Sequence, residues 1–307
     1  WNGTKEIPLP EAFTYTLSEK NICVLDMVAV QNEAGIKLPQ QEVLKADRAL
    51  RDYYQIPYRG GEMLQPWYEV KFRGGDKELL TQLTAEYSVE ISALPTGVQL
   101  VVEDLEHICG LTVNGKVVPA VSKGKWIDIC FDRIPIPDEV WKEGHNTVSL
   151  IMDYYKTCGL ESVYLTGSFG VEFNDGRPTL GQLPQKLSIG DISTQGLPFY
   201  SGSVIYHVDG CKDKKVSVSV EQFGGALVKL IGKEEVILAF QPHSAVVEDL
   251  RGIQVVLTRR NTFGPFHQIP KVAYAYGPAN FLTEGKEWQD DYVLYEQGLL
   301  TKPVIRN

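Results

Sequence analysis

The stretch from residue 98 to 153 constrains the fold more than any other. It holds four runs: Val98-Gln-Leu-Val-Val-Glu-Asp104, Leu111-Thr-Val-Asn114-Gly115-Lys116-Val-Val118, Trp126-Ile-Asp-Ile-Cys-Phe-Asp132 and Gly144-His-Asn146-Thr-Val-Ser-Leu-Ile-Met152. Each run is rich in β-branched and apolar residues and is bounded by turn residues, so each reads as a strand. Asn114-Gly115 is a strong hairpin signal, because both central residues of a type I′ turn need positive φ. Lys142-Glu-Gly-His-Asn146 is a second polar turn that feeds a strand. The pattern predicts an antiparallel sandwich in which a strand doubles back at Asn-Gly and the chain re-enters through Gly-x-Asn.

The remaining periodicity is also that of strands, with one exception. The segment 40–55 has apolar residues at helical spacing, and Val43, Leu44, Asp47 and Leu50 share one face. Pro39 and Pro57 bracket it. Its charged residues are expected to be solvated. Ahead of it, Phe13-Thr-Tyr-Thr-Leu17 and Asn21-Ile-Cys-Val-Leu25 through Val30 read as entry strands. Trp67-Tyr-Glu-Val-Lys-Phe72 and Glu86-Tyr-Ser-Val-Glu-Ile91 open the first sandwich, and Glu161 through Phe173 closes it. Asn174-Asp-Gly-Arg-Pro178 through Pro184 is dense in turn formers and reads as a linker. Short strands resume at Leu187, and Tyr292 through Leu299 reads as a last strand.

The second half repeats the first. Leu111-Thr-Val-Asn-Gly-Lys116 is answered by Val228-Lys-Leu-Ile-Gly-Lys233, and His145-Asn-Thr-Val-Ser-Leu150 by Gly252-Ile-Gln-Val-Val-Leu257. The expected fold is therefore all-β: two tandem sandwiches, 1–183 and 184–307, with one helix near the N-terminus. A (β/α)8 barrel needs strands and helices alternating over about 250 residues, and that alternation is absent.

Composition narrows the partners. A net charge of −9 over 307 residues argues against nucleic acid, which calls for a basic stripe. No run of about 18 apolar residues offers a membrane span. The first residue is Trp1, and we expect an excised piece of a longer chain. The five cysteines include no C-x-x-C and no zinc spacing. Cys23, Cys109 and Cys130 sit in apolar runs and are expected to pack as buried thiols. Unpaired cysteines favour a reducing, cytoplasmic compartment, although a periplasmic or secreted location stays open.

The Asn-Gly and Gly-x-Asn runs resemble the galactose-binding-like jelly roll that serves as the sugar-binding domain of glycoside hydrolases, family two among them. Further motifs extend the likeness: Gln195-Gly-x-Pro-Phe199-Tyr200-Ser-Gly202, Arg260-Asn261-x-x-Gly-Pro-Phe266-His267, Gly277-Pro-x-x-Phe281, and Trp288 with Tyr292 and Gly298-Leu299. Together they are similar to the C-terminal region of large bacterial glycoside hydrolases of the α-L-rhamnosidase kind. The resemblance implies two galactose-binding-like jelly rolls, and a catalytic barrel elsewhere in the same polypeptide as a partner. It implies carbohydrate as ligand, and it aligns the two motif-bearing stretches as matched elements of one domain. Gln195, Phe199, Tyr200, Arg260, Asn261, Phe266 and His267 are then the candidate sugar contacts, with core packing as their plainer role. Jelly rolls of this type often hold a structural Ca2+, and the Asn174-Asp175-Gly176 turn would suit one. No other cofactor is implied.

Catalytic constellations are weak. Glycoside hydrolysis needs two carboxylates roughly 5–9.5 Å apart. Glu103 with Asp104, Asp290 with Asp291, and Glu248 with Asp249 are adjacent pairs. Neighbours in a strand point to opposite faces, so adjacency does not make them converge. No Gly-x-Ser-x-Gly elbow, GxGxxG or P-loop is present. Trp67, Trp126, Trp141 and Trp288 are alternative sugar platforms. The leading expectation is a non-catalytic carbohydrate-binding accessory region of a glycoside hydrolase. A stand-alone carbohydrate-binding or adhesion protein, and an enzyme with its site at the domain interface, are the alternatives.

Overall fold

The computed structural model describes residues 5–59, 79–269 and 277–307. The expected strand 67–72 lies outside them. The described chain is mostly β, in sheets that are antiparallel except where Arg177–Gly181 runs parallel to Leu79–Ile91, around two separate apolar cores, with a twelve-residue helix and a one-turn helix.

In the first unit, Leu79–Ile91 pairs with Gly144–Tyr155, Thr96–Val102 with Asp132–Pro135, and Ile108–Val113 with Lys116–Val117. These pairings nest like the rungs of one long hairpin. Gly144–Tyr155 also pairs with Ile108–Val113, which rolls that hairpin onto itself. The second unit nests the same way. Ser203–His207 pairs with Gly252–Val256, Lys215–Ser219 with Ser244–Glu248, and Leu227–Ile231 with Glu235–Leu238. Gly252–Val256 again closes on Leu227–Ile231.

The flanking strands match too. Met27–Gln31 adds to the first edge of one unit, as Tyr15–Leu17 does in the other. Val163–Ser168 and Val304–Arg306 add to the corresponding middle strands. The two runs matched by sequence therefore occupy equivalent strands.

The hairpin motifs meet as their chemistry requires. Asn114 and Gly115 both have positive φ, 52° and 75°. Asn114 Nδ2 donates to Asn146 Oδ1 at 2.7 Å and to Val140 O at 2.9 Å, and Asn114 Oδ1 accepts from Thr147 N. Asn146 is fully buried, and its amide donates to Lys142 O and Gly144 O. Asn-Gly and Gly-x-Asn are thus one hydrogen-bonded corner.

Several expectations are corrected. Trp126 through Phe131 is not a strand: Asp128 accepts from Cys130 N in a turn, and the strand begins at Asp132. Ile129 consequently points to solvent at 85% exposure. Of the cysteines expected to be buried, Cys23 is, whereas Cys109 and Cys130 are exposed. Asn174 to Arg177 is a hairpin turn rather than a linker, joining Gly170–Asn174 to Arg177–Gly181, with Asp175 and Gly176 at positive φ. Ala12–Phe13 and Tyr15–Leu17 pair with Leu187–Ser188 and Ser203–His207, so these entry strands complete the second unit. Tyr292 through Gln297 is irregular. Only Gly298–Leu299 pairs, with Phe223–Gly224, and Val304–Arg306 returns to the sheet.

The helix spans Val43–Tyr54, with Glu42 capping Leu44 N and Lys45 N. Its charged residues are not all solvated. Asp47 and Arg51 are wholly buried and joined at 2.8 Å.

Candidate functional site

The four-stranded sheet orders Asp132–Pro135, Thr96–Val102, Val163–Ser168 and Asn21–Leu25. Antiparallel pairing brings the end of one strand beside the start of the next. Val102 lies opposite Asp132, and Val163 opposite Leu25. The residues just past these positions therefore gather at one end of the sheet: Asp128 and Cys130, Glu103, Glu161, and Asp26. A cleft of about 350 Å³ opens there.

Its opposite wall is the segment that leaves the second unit after Gly252–Val256. Residues 266–269 run beside 287–293, held by Val293 N donating to Phe266 O, Gln289 N to His267 O, and Ile269 N to Glu287 O. This irregular ladder sets His267, Gln268 and Trp288 on the cleft. Arg48 of the helix donates to Thr283 Oγ1 at 2.8 Å and to the carbonyls of Ala279 and Phe281, which ties the segment to the first unit. Phe131, Tyr164 and Phe263 also line the cleft. Phe131 stacks on Phe263 at 5.6 Å and 7°, and Trp126 packs against all three rings.

Five carboxylates line the cleft, against the cations Arg59 and His267. Arg59 is already engaged, with Nε on Asp47, Nη1 on Glu161 and Nη2 on Leu160 O. Burial pushes the Glu103 carboxyl up to about 8, helped by the nearby charges of Glu161 and Asp104. Burial raises Glu161 as well, against the pull of Arg59. Burial lifts Glu42 to about 7, although the N–H groups of Leu44 and Lys45 hold it back.

His267 is 4% exposed. Its Nε2 faces Asp26 Oδ2 at 3.0 Å, and its Nδ1 faces Gln289 O at 3.1 Å. The Gln289 carbonyl can only accept, so Nδ1 carries a proton, and Asp26 favours a second proton on Nε2. Burial opposes this charge, but the hydrogen bond and charge of Asp26 outweigh it and the pKa is raised. Tyr292 donates to the other oxygen of Asp26 at 2.5 Å.

The sequence candidates are distributed as follows. Phe199 and Phe266 are buried in one aromatic cluster with Tyr292. Tyr200 is fully buried, with its hydroxyl donating to Ser203 O and accepting from Ser18 N. Asn261 is buried and clamps the backbone of Tyr295 through both amide atoms. Arg260 lies over the Tyr295 ring at 4.9 Å. Gln195 braces its own loop through Ser188 and Asp191. The two stretches do meet, through Thr262 donating to Phe199 O at 2.9 Å, and the contact is packing. Only Phe266 and His267 of the seven line the cleft.

Of the adjacent carboxylate pairs, only Glu103 reaches this cleft. Asp290 and Asp291 line a second one of about 240 Å³, with Glu90 and Asp175. Glu248 pairs with Lys233, and Asp249 with Arg251. Trp141 is buried, Trp288 is on the cleft, and Trp67 lies outside the described residues. Asp175 serves its hairpin turn, and among the described residues no group of three or more His, Cys, Asp or Glu is placed to hold a metal. Among the described residues no helix is long and apolar enough to cross a membrane.

The sequence missed Glu103, Asp128, Glu161 and Gln268 as one group. Each lies just outside an apolar run, but the run order alone does not say which ends coincide.

No protein-family model matches the chain, and no curated protein matches it. Among solved structures, it is similar to a β-glucuronidase from Ruminococcus gnavus in complex with D-glucuronic acid, at 12% identity and a TM-score of 0.31, covering 80% of this chain and 41% of that one. A GH2 β-galacturonidase from Eisenbergiella tayi bound to galacturonate gives 11% identity and a TM-score of 0.28, over 78% and 37%. A β-D-glucuronidase of Dictyoglomus thermophilum gives 11% and 0.28, over 78% and 38%. The chain thus spans about two fifths of the length of these enzymes.

Proposed function

We propose that the chain is a non-catalytic β-sandwich region of a glycoside hydrolase, and that it binds carbohydrate in the cleft at the sheet end. The nested pairing of each unit is, in this reading, a jelly roll, and the pair forms a tandem with the first unit carrying the site. The observation that carries the proposal is the cleft itself: aromatic walls at Trp288, Phe281 and Tyr164, with hydrogen-bonding groups between them. Sugars need both, a ring to cover the C–H face and polar groups for the hydroxyls. The revised contacts are Glu103, Asp128, Gln268, Phe281 and Trp288, with His267 as a positioning residue behind them.

A catalytic domain of the same polypeptide is the proposed partner. Exposed apolar side chains on segment 117–131, Val117, Val121, Ile127 and Ile129, support a packing surface beside the cleft. The test has two arms. Aryl rhamnosides and galactosides should show no turnover with the intact chain. Titration with monosaccharides should quench tryptophan fluorescence, and Trp288→Ala should abolish the quench without lowering the thermal midpoint by more than a few degrees. Turnover, or a quench that survives Trp288→Ala, refutes the proposal.

A further inference from the structure

Among the described residues, one buried polar atom on the cleft has no hydrogen-bond partner. Gln268 is 8% exposed, lines the cleft, and its Oε1 finds no hydrogen-bond partner among the described residues. Leaving a buried amide oxygen unpaired carries the full cost of stripping it of water. A ligand polar group reaching Gln268 would recover that cost.

The other polar groups of the cleft indicate which ligand. The donors are largely committed. Arg59 is spent on Asp47, Glu161 and Leu160 O, and His267 on Asp26 and Gln289 O. Trp288 Nε1 points to Asp290 Oδ1 at 3.3 Å. Two acceptors are also committed, since both oxygens of Glu42 take helix N–H groups and both oxygens of Asp26 are bonded.

Open acceptors remain. Glu103 is only partly exposed, and no hydrogen bond reaches its carboxylate among the described residues. Asp128 uses one oxygen, on Cys130 N. The hydroxyls of Ser162 and Tyr164 serve in either role. The cleft therefore offers open acceptors and more carboxyl groups than cations, and its cations are already bonded.

Resting on the carbohydrate reading above, the geometry points to a cationic amino sugar as the ligand of this cleft, with its ammonium at Glu103 and Asp128 and a ring polar group on Gln268. Uronates are excluded by the same charge. A carboxylate sugar would bring its charge in among five carboxyl groups, three of which already resist ionising, with neither cation free to meet it. The raised pKa of Glu103 agrees: burial, with the nearby charges of Glu161 and Asp104, keeps its proton on, and a cation beside that carboxyl would favour the charged form. Binding should then release protons.

The experiment is isothermal titration of the intact chain at pH 7 with D-glucosamine, D-glucose and D-glucuronate, in two buffers of different ionisation enthalpy. D-Glucosamine should bind about tenfold more tightly than D-glucose, with proton release, and D-glucuronate should not bind. Glu103→Gln should bring glucosamine down to the affinity of the same variant for glucose. Gln268→Ala should weaken both. Unchanged near-ultraviolet circular dichroism guards against misfolding, and Glu103→Asp, which keeps the charge, should retain the preference. Glucuronate binding as tightly as glucosamine, or a glucosamine preference untouched by Glu103→Gln, overturns the inference and leaves the sugar site standing. Failure of all three sugars to bind overturns both.

Discussion

His267 and the acidic groups around it make stability depend on pH in one direction. Its ring holds a proton between Asp26 and Gln289 O, with Glu42 and Tyr292 nearby. A pKa higher in the fold than in the unfolded chain means the fold grips the proton more tightly. The stabilisation from His267 is therefore complete below about pH 6.5, its ordinary value, and fades as pH rises through the raised one. Glu42, lifted to about 7, and Glu103, lifted to about 8, carry the same sign. The urea midpoint should fall steadily from pH 6 to pH 9. Glu103→Gln should flatten the upper part of that fall and exceed the parent at pH 9. A midpoint that rises over this range contradicts the assignment. Asn146 presents the opposite case, a neutral buried amide with every valence used. Asn146→Ala should cost about 3 kcal/mol in chemical denaturation, since the carbonyls of Lys142 and Gly144 and the amide of Asn114 all lose a partner. The Asn-Gly and Gly-x-Asn spacing made this corner legible in the sequence, because turn chemistry is local. The roles of Phe199, Tyr200 and Asn261 were not legible, because an aromatic or amide residue has the same letters in a core as in a sugar site.

The helix Val43–Tyr54 was legible as an element but not in its purpose. Asp47 stood in the apolar stripe at helical spacing with Val43, Leu44 and Leu50, and a carboxylate there is soluble only with partners. It has four: Arg51 Nε, Arg59 Nε, the Tyr154 hydroxyl and Leu160 N. Three of them come from outside the helix, and periodicity says nothing of those. Removing one member of a buried ion pair strands the other. Asp47→Ala should therefore cost about 3–5 kcal/mol, read from the urea midpoint. The next residue faces the other way. Arg48→Ala should leave global stability within about 1 kcal/mol, and should speed amide exchange in 279–285, where its three acceptors lie. Equal exchange there in both proteins would show that the wall of the cleft stands without it. The run Trp126 to Phe131 shows the limit of alternation as a signal. Ile127 and Ile129 alternate like a strand, and Asp128 turns the chain instead.

At the scale of the whole molecule, the two cores are distinct but joined. Phe199 and Phe266 leave the second unit to pack in the core of the first, and Asn21 donates to both Phe169 O and Gly196 O across the seam. The chain should unfold as one body. Of the described tryptophans, Trp126 and Trp141 lie in the first unit and Trp288 in the cleft wall, so their fluorescence reports these parts, whereas far-ultraviolet circular dichroism reports both units. The two urea curves should superimpose in the parent and separate in Phe199→Ala, which deletes a large side chain at the seam and costs about 3–5 kcal/mol. Separate curves in the parent would show independent units. The repeat was readable from the two matched runs, since they occupy equivalent strands. The crossing of Tyr15–Leu17 to the second unit was not, because nothing local announces a partner so distant. Thr16 bonds His207, 191 positions later. At a ribosome adding about 5–20 residues per second, that strand waits roughly ten to forty seconds for its neighbour to be made. The inserted unit itself is complete only once Arg177–Gly181 is made, late in that delay, so Phe13, Tyr15 and Leu17 stay an adhesive flap on the nascent chain until the later-made half arrives.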